Sequence, residues 1–510
     1  MKLVHTTQLT NMVLRGFRAI YIGLLMNCLI LGWVTKAMIS IVSVVMGVSE
    51  HAALAICIFV IVPFTGLYVA IGGLWGVLWT DLFQFILKMG VVIAVAYYGI
   101  SAVGGMHELL RKLQIAQPPN PALPHGSPLS FFPNFANGFT GEAWWTLPVI
   151  TLLVFLGLQW WAFWYPGAEP GGGGYIAQRI FSAKDERQGL LSVLWFNIAH
   201  YAIRPWPWIL TGLVAVVLYP HLDPNVAGQH PEDGYMLVLT HYLPASLRGL
   251  AIAGFLAAFM STIATQLNWG ASYLVADFYK RFMKPEASQR HYVVASRIVT
   301  VFLVICAAFV AAQLASIQSG WQWVLELSAG TGAVYLLRWY WWRINAWSEI
   351  TAMIVALVTS LLLRLEAPFH GHPAVVFAKS ASTTTAITTV AWIIVTFMTR
   401  PVSQEVLVSF YRHVRPDVRG WKHIAAIVGD TRPTRDLGRN LGLWVLGCAM
   451  VYSFLFGSGY AILGHPLRGA VLLVVGVVCL LVLLKQLRSF VAEPEPAHKP
   501  GTESAAFIGH

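Results

Sequence analysis

The chain has 510 residues, 57% of them hydrophobic and 11% charged, where an average soluble domain carries about 25% charged residues. A mean hydropathy of +0.65 excludes a water-soluble enzyme and makes a lipid bilayer the solvent for most of the protein. The net charge of +11, from 33 Lys and Arg against 22 Asp and Glu, would indicate nucleic acid only if it formed a soluble basic face, and its distribution points elsewhere.

Twelve apolar segments are predicted as helices: 12–46, 52–72, 74–102, 144–166, 188–220, 246–277, 289–317, 320–342, 346–366, 380–400, 441–463 and 466–490. The runs are continuous rather than alternating in stretches of about ten residues, which favours helices over a barrel. Met1–Thr10 lacks the apolar segment of a signal peptide. Residues 103–143 are expected to form an external loop. A core over 1–400 is expected to lead into a basic cytoplasmic linker, 401–440, two further helices within 441–490, and a disordered tail, 491–510. The five cysteines, Cys28, Cys57, Cys306, Cys448 and Cys479, fall inside apolar runs without a CxxC pair and read as small buried hydrophobes.

Lys and Arg beside membrane spans are retained in the cytoplasm. With the twelve helices threaded, 23 basic residues fall on the side of the N-terminus and 6 on the other, while Lys36, Lys88, Arg204 and Arg297 lie within spans. This predicts an integral protein of the cytoplasmic (inner) membrane with both termini in the cytoplasm. It also explains the basic balance as topology, so no nucleic-acid partner is expected.

Polar groups inside spans are costly and therefore candidates for function. In the third helix Asp81, Gln84 and Lys88 share one stripe, reading either as a carboxylate on a cation route or as a buried pair that fixes packing. The fourth runs from LQWWAFWYP into GAEPGGGGYIAQR, where prolines and four glycines deny a regular helix. Trp160, Trp161 and Trp164 there suit either a stacked substrate or an aromatic belt. In the sixth, Ala258, Ser261, Thr262 and Thr265 recur at helical spacing, extended by Asn268 and Ser272. Hydroxyl and free carbonyl oxygens on such a face are hard ligands for sodium, while calcium would want carboxylates; close helix packing uses the same small residues. In the eighth, Gly330 and Gly332 flank Thr331, reading as a second helix break or as two glycines admitting a neighbour. His200 reads as a hydrogen-bonded interior residue. No HExxH, GxSxG or carboxylate dyad is present, so no enzyme activity is expected.

GGLWGVLWTDLFQF, IAQRIFSAKDE and AAFMSTIATQLNWGASYLVADFYKRF, in that order, resemble the sodium/solute symporter family, a branch of the five-plus-five inverted-repeat transporters of leucine-transporter type. RWYWWRINAWSEI resembles a prokaryotic subgroup of it. The resemblance implies an all-α integral membrane fold that couples sodium, with no organic cofactor, to import of a small polar solute such as a sugar, amino acid or organic acid. It implies sodium contacts at Ala258, Ser261 and Thr262, sodium passage at Asp81, and substrate contacts at Gln159, Trp160 and Trp161. It also implies that the chain begins near the third helix of the first repeat, leaving that repeat incomplete and the chain a poor transporter. A membrane sensor or scaffold retaining the fold is the alternative. Oligomeric state is not readable.

Overall fold

The computed structural model describes residues 12–116, 127–133, 135, 138–141, 147–158, 180, 183–222, 231–314, 316–431 and 433–492; at 66–81, 329 and 488–492 the backbone alone is described. Every regular element among the described residues is helical. Helix α1, Met12–Met46, follows an apolar run unbroken until Gly47, whose φ of +64° ends the helix with its N–H on the Ser43 carbonyl. At about 1.5 Å per residue this helix exceeds a hydrocarbon core of about 30 Å, so it tilts or protrudes. Lys36, inside this apolar run, reaches past the turn to Glu50 at 2.8 Å.

Ser49 caps α2, Glu50–Ile56, by accepting from the Ala52 amide. A π turn, Cys57–Ile61, leads into α3, Val62–Val103. The sequence reading divided two spans between 72 and 74, but the backbone stays helical through Gly72 and Gly73. A glycine costs about 1 kcal/mol in a helix, too little to interrupt one with apolar sequence on both sides. Two left-handed glycines, Gly104 and Gly105, terminate α3 and start the amphipathic α4, Met106–Gln114.

The remaining helices are α5, Val149–Gly157; α6, Glu186–Asn197, with a π turn at Ile198–Ile203; α7, Pro205–Leu218; α8, Gly234–Tyr242; and α9, Ala245–Ser272, extended by a π segment, Tyr273–Met283. They are followed by α10, Gln289–Gln313; α11, Ile317–Tyr340; α12, Ala346–Glu366; α13, Pro373–Met398; α14, Gln404–Val414; α15, Lys422–Val428; α16, Leu437–Ile462; and α17, Pro466–Ala492. Among the described residues nine helical stretches are long and apolar enough to cross a membrane. Three of the twelve expected spans fall outside that set. The first has described side chains only over 50–65, its backbone continuing into α3; the second is described only as α5; the third, α11, is a full 24-residue helix that carries Glu326 and Arg338.

The chain divides into two compact units, Met1–Tyr175 with Pro207–Arg435, and Ile176–Trp206 with Asp436–His510. In the first, α1 packs against α9 and α10 through Leu31, Met38, Phe259, Ile263, Leu303 and Ala307. Its other side meets α11 and α12 through Ile30, Val334, Tyr335 and Met353. Glu349, 6% exposed, pairs with Arg338 at 3.3 Å and Arg18 at 3.9 Å, and both guanidiniums lie 5.6 Å from the Tyr335 ring centre. This cluster fastens the start of α1 to the end of α11 and the start of α12. The segment after α13 folds back as α14 and α15 over Leu407, Tyr411, Trp421 and Ile424. The Gly420 carbonyl accepts from the Trp342 amide, and Trp421 Nε1 donates to the Trp339 carbonyl at 3.0 Å. A side chain on Gly420 would overlap the Tyr340 carbonyl.

In the second unit α16 and α17 form a hairpin with left-handed Gly464 in its turn. Gly457 and Gly469 let the two backbones approach closely, since a Cβ on Gly469 would lie 2.8 Å from the Gly457 carbonyl. His200, expected as a hydrogen-bonded residue, stacks on Phe196 and contacts Arg204 Nη1 through Nδ1 at 2.8 Å.

Candidate functional site

The sixth predicted span is α9, and its hydroxyl stripe is intact in the structure. Gly254, Ala258, Ser261, Thr262 and Thr265 recur along one side of the helix. Thr262 Oγ1 donates to the Ala258 carbonyl at 3.0 Å and Thr265 Oγ1 to the Ser261 carbonyl at 2.9 Å. Each bond commits the hydroxyl proton to the helix's own backbone, so the oxygen lone pairs are what the threonines present to their surroundings. That polarity suits a cation. It also means that the Ala258 carbonyl already accepts a hydroxyl. Ala258, Ser261 and Thr262 are all half-buried.

Helix α9 adjoins α3. A Cβ on Gly254 would lie 3.8 Å from Lys88 Cγ, while Val62 shares a core cluster with Ile263 and Leu267. The two helices therefore run antiparallel, α3 advancing from 62 to 88 as α9 recedes from 267 to 254. Gln84, one turn before Lys88 on the same stripe, has a buried Oε1 with no hydrogen-bond partner among the described residues.

The other expected site residues fare differently. Asp81 belongs to the α3 backbone, but its side chain lies outside the described residues, as do Gln159, Trp160, Trp161, Trp164 and the glycine run after them. The expected break at Gly330 and Gly332 is absent, because α11 is helical from Ile317 to Tyr340. Gly330 serves packing: a Cβ there would lie 2.7 Å from Thr388 Oγ1 and 3.0 Å from Ala356 Cβ. Thr331 donates to the Ser328 carbonyl at 3.2 Å. Among the described residues no group of three or more His, Cys, Asp or Glu converges as a metal centre would require.

Sequence reasoning missed Glu326. It is 5% exposed on α11, and its Oε2 accepts from Arg364 Nη2 at 2.9 Å, Arg364 Nε at 3.1 Å and Ser360 Oγ at 3.3 Å. Arg364 lies 4.7 Å from the Trp323 ring centre. The signal was a carboxylate inside an otherwise apolar run, but its partner is 38 positions away and had been counted as a charge flanking its span.

With this geometry in hand, comparison with known proteins is direct. The family model for the sodium:solute symporter family matches residues 17–356. The chain is 25% identical to a sodium/glucose cotransporter of Vibrio parahaemolyticus over 62% of its own length and 58% of that protein. It is 25% identical to the human sodium/myo-inositol cotransporter 2 over 72% of its length and 58% of that protein. With the osmoregulated proline transporter OpuE of Bacillus subtilis (strain 168) the identity is 25% over 58% and 54% of the two chains. The chain thus spans a little over half the length of these relatives. A solved structure of a sodium-coupled sialic acid symporter, substrate-bound and outward-open, superimposes with a TM-score of 0.56 at 20% identity, covering 76% of this chain and 75% of that one. The shared fold is the all-α leucine-transporter type read from the motifs. The chain is an integral membrane protein and belongs to the sodium:solute symporter family.

Proposed function

We propose that this protein couples sodium moving down its gradient to the transport of a small polar solute, a sugar, amino acid or organic acid, across the cytoplasmic membrane. The observation that carries this reading is the α9 stripe, where the Thr262 and Thr265 hydroxyl protons are turned onto their own helix and the lone pairs outward. Ala258, Ser261 and Thr262 would supply sodium ligands. Asp81 would receive the ion on its way through. Gln159, Trp160 and Trp161 are the proposed solute contacts. Relatives named for glucose, myo-inositol and proline support a small polar solute without choosing among its classes. Both termini are proposed to be cytoplasmic, from the asymmetry of basic residues.

The test is uptake into proteoliposomes of a panel of labelled sugars, amino acids and organic acids under sodium or potassium gradients. Sodium-dependent uptake of one of them is expected. Ser261→Ala and Thr262→Ala should each raise the sodium concentration for half-maximal uptake about tenfold, the loss of one good ligand. Uptake indifferent to sodium, or wild-type sodium dependence in both variants, would remove the basis of the proposal.

A further inference from the structure

Beyond the ion and its solute, α10 carries a basic residue that the proposed cycle does not use. Arg297 is the ninth residue of the Gln289–Gln313 span, about 12 Å along its axis, exposed, and without an ion pair or side-chain hydrogen bond among the described residues. An arginine so placed is costly unless something of opposite charge meets it or its long side chain reaches the membrane surface.

Arg297 lines a cavity of about 760 Å³ between α9 with its π segment, α10 and Thr65 of α3. That size is within the range of about 300–1,000 Å³ for small-ligand sites. The cavity has two chemically distinct parts. One wall is largely apolar, from Leu267, Ala271 and Val275 on one helix and Val293 and Val301 on the other, with the uncharged Thr65, Asn268, Ser272 and Thr300 between them. Toward the start of α10 the lining becomes Lys280, Gln289, Ser296 and Arg297, and no acidic residue lines it among the described residues. Lys280 Nζ lies 5.3 Å from the Tyr292 ring centre, and Tyr292 is fixed by donating its hydroxyl to the Lys284 carbonyl at 2.5 Å. The nearest described carboxylate of the π segment, Asp277, is engaged by Arg15 and Arg281 and does not line the cavity.

We propose that this crevice binds one anionic phospholipid, its phosphate held by Arg297 and Lys280 and an acyl chain lying along Leu267, Val275, Val293 and Val301. Two cations with no acid beside them call for an anion, and an apolar wall continuous with them calls for a tail. A soluble anion would use only the first part. Basic pockets between membrane helices take headgroups in this way.

The test is native mass spectrometry of the full chain released from vesicles of phosphatidylcholine and phosphatidylglycerol. Wild type should retain phosphatidylglycerol over phosphatidylcholine, and Arg297→Gln should lower that retention about fivefold, the share of one basic residue near a headgroup. Val301→Trp, which fills the apolar part and leaves both cations, should lower it too. Arg412→Gln, an exposed cation outside the crevice, should not. Inorganic phosphate should not displace the lipid. Circular dichroism establishes that each variant is folded, and the valine variant keeps the test decisive if the arginine variant does not fold. Wild-type retention in either crevice variant, or displacement by inorganic phosphate, overturns the proposal; the latter makes the site one for a free anion. Neither outcome bears on sodium-driven uptake.

Discussion

Arg364→Ala should be among the most destabilising single changes in the α11–α12 interface. It strands the Glu326 carboxylate, which is 5% exposed and accepts both guanidinium hydrogen bonds on one oxygen. Removing one member of a buried pair costs about 3–5 kcal/mol. The Arg364 side chain is 34% exposed, so water screens the pair and the expected electrostatic loss falls to about 2–3 kcal/mol. Losing the stacking on Trp323 adds about 0.5–1 kcal/mol. Glu326→Gln alone leaves a guanidinium that reaches water on its own stem and should cost about 1 kcal/mol. The double variant leaves no stranded charge and should cost about 1.5 kcal/mol, giving a coupling near 2 kcal/mol, where independent sites add within about 0.5 kcal/mol. The assay is equilibrium unfolding of the four proteins in mixed micelles of graded denaturing detergent. Losses that add within that margin would refute the claim that the pair is a buried, mutually dependent unit.

Gly330→Ala should cost about 1–2 kcal/mol in the same unfolding assay, because its Cβ would press on Thr388 Oγ1 at 2.7 Å, and Thr388→Ala should restore part of the loss, the 3.0 Å contacts with Ala356 Cβ and the residue 388 Cβ remaining. Gly420→Ala should undock α14 and α15 from the end of α11, since any side chain there overlaps the Tyr340 carbonyl. A cost of about 2 kcal/mol raises the open fraction about 30-fold, read as faster limited proteolysis within 401–436. Burial, then the hydrogen bond to Asp430 at 3.0 Å, push the Tyr411 hydroxyl up to about 12. A hydroxyl raised on folding contributes stability that is whole below the ordinary tyrosine range near 10 and is lost as pH rises through about 12. Tyrosinate absorbance and proteolysis of the 401–436 segment should therefore rise together in that window, and the coupled rise should vanish in Tyr411→Phe.

What the sequence disclosed and what it withheld divide along physical lines. α1 ends where predicted, because the glycine that ends it is a local fact. The hydroxyl stripe of α9 was legible for the same reason, since helical spacing alone puts Ala258, Ser261, Thr262 and Thr265 on one side. Glycines were harder to read. The division of spans at Gly73 and the break that was one of two readings at Gly330 and Gly332 both fall in continuous helix. A glycine reports that something must come close, and only the neighbouring helix says whether that something is a ligand or Thr388. Pairings at long range were not legible at all. Glu326 with Arg364, and the Gln84 oxygen beside a helix of hydroxyls, depend on which helices adjoin, and periodicity along one helix carries no such information.

The crossing of α1 and α9 has one further consequence. Gly23 and Gly270 bring the two backbones together where Asn27 Nδ2 donates to the Gln266 carbonyl at 3.1 Å, and any side chain on Gly270 would overlap that amide. Helices touching at backbone level cannot slide past one another there, so relative motion reduces to rotation about a fulcrum. Thr262 lies eight residues to one side, about 12 Å, and Asp277, paired with Arg15, seven residues to the other, about 10 Å. The hydroxyl stripe and the charged end of the helix are thus opposite arms of one lever of nearly equal length.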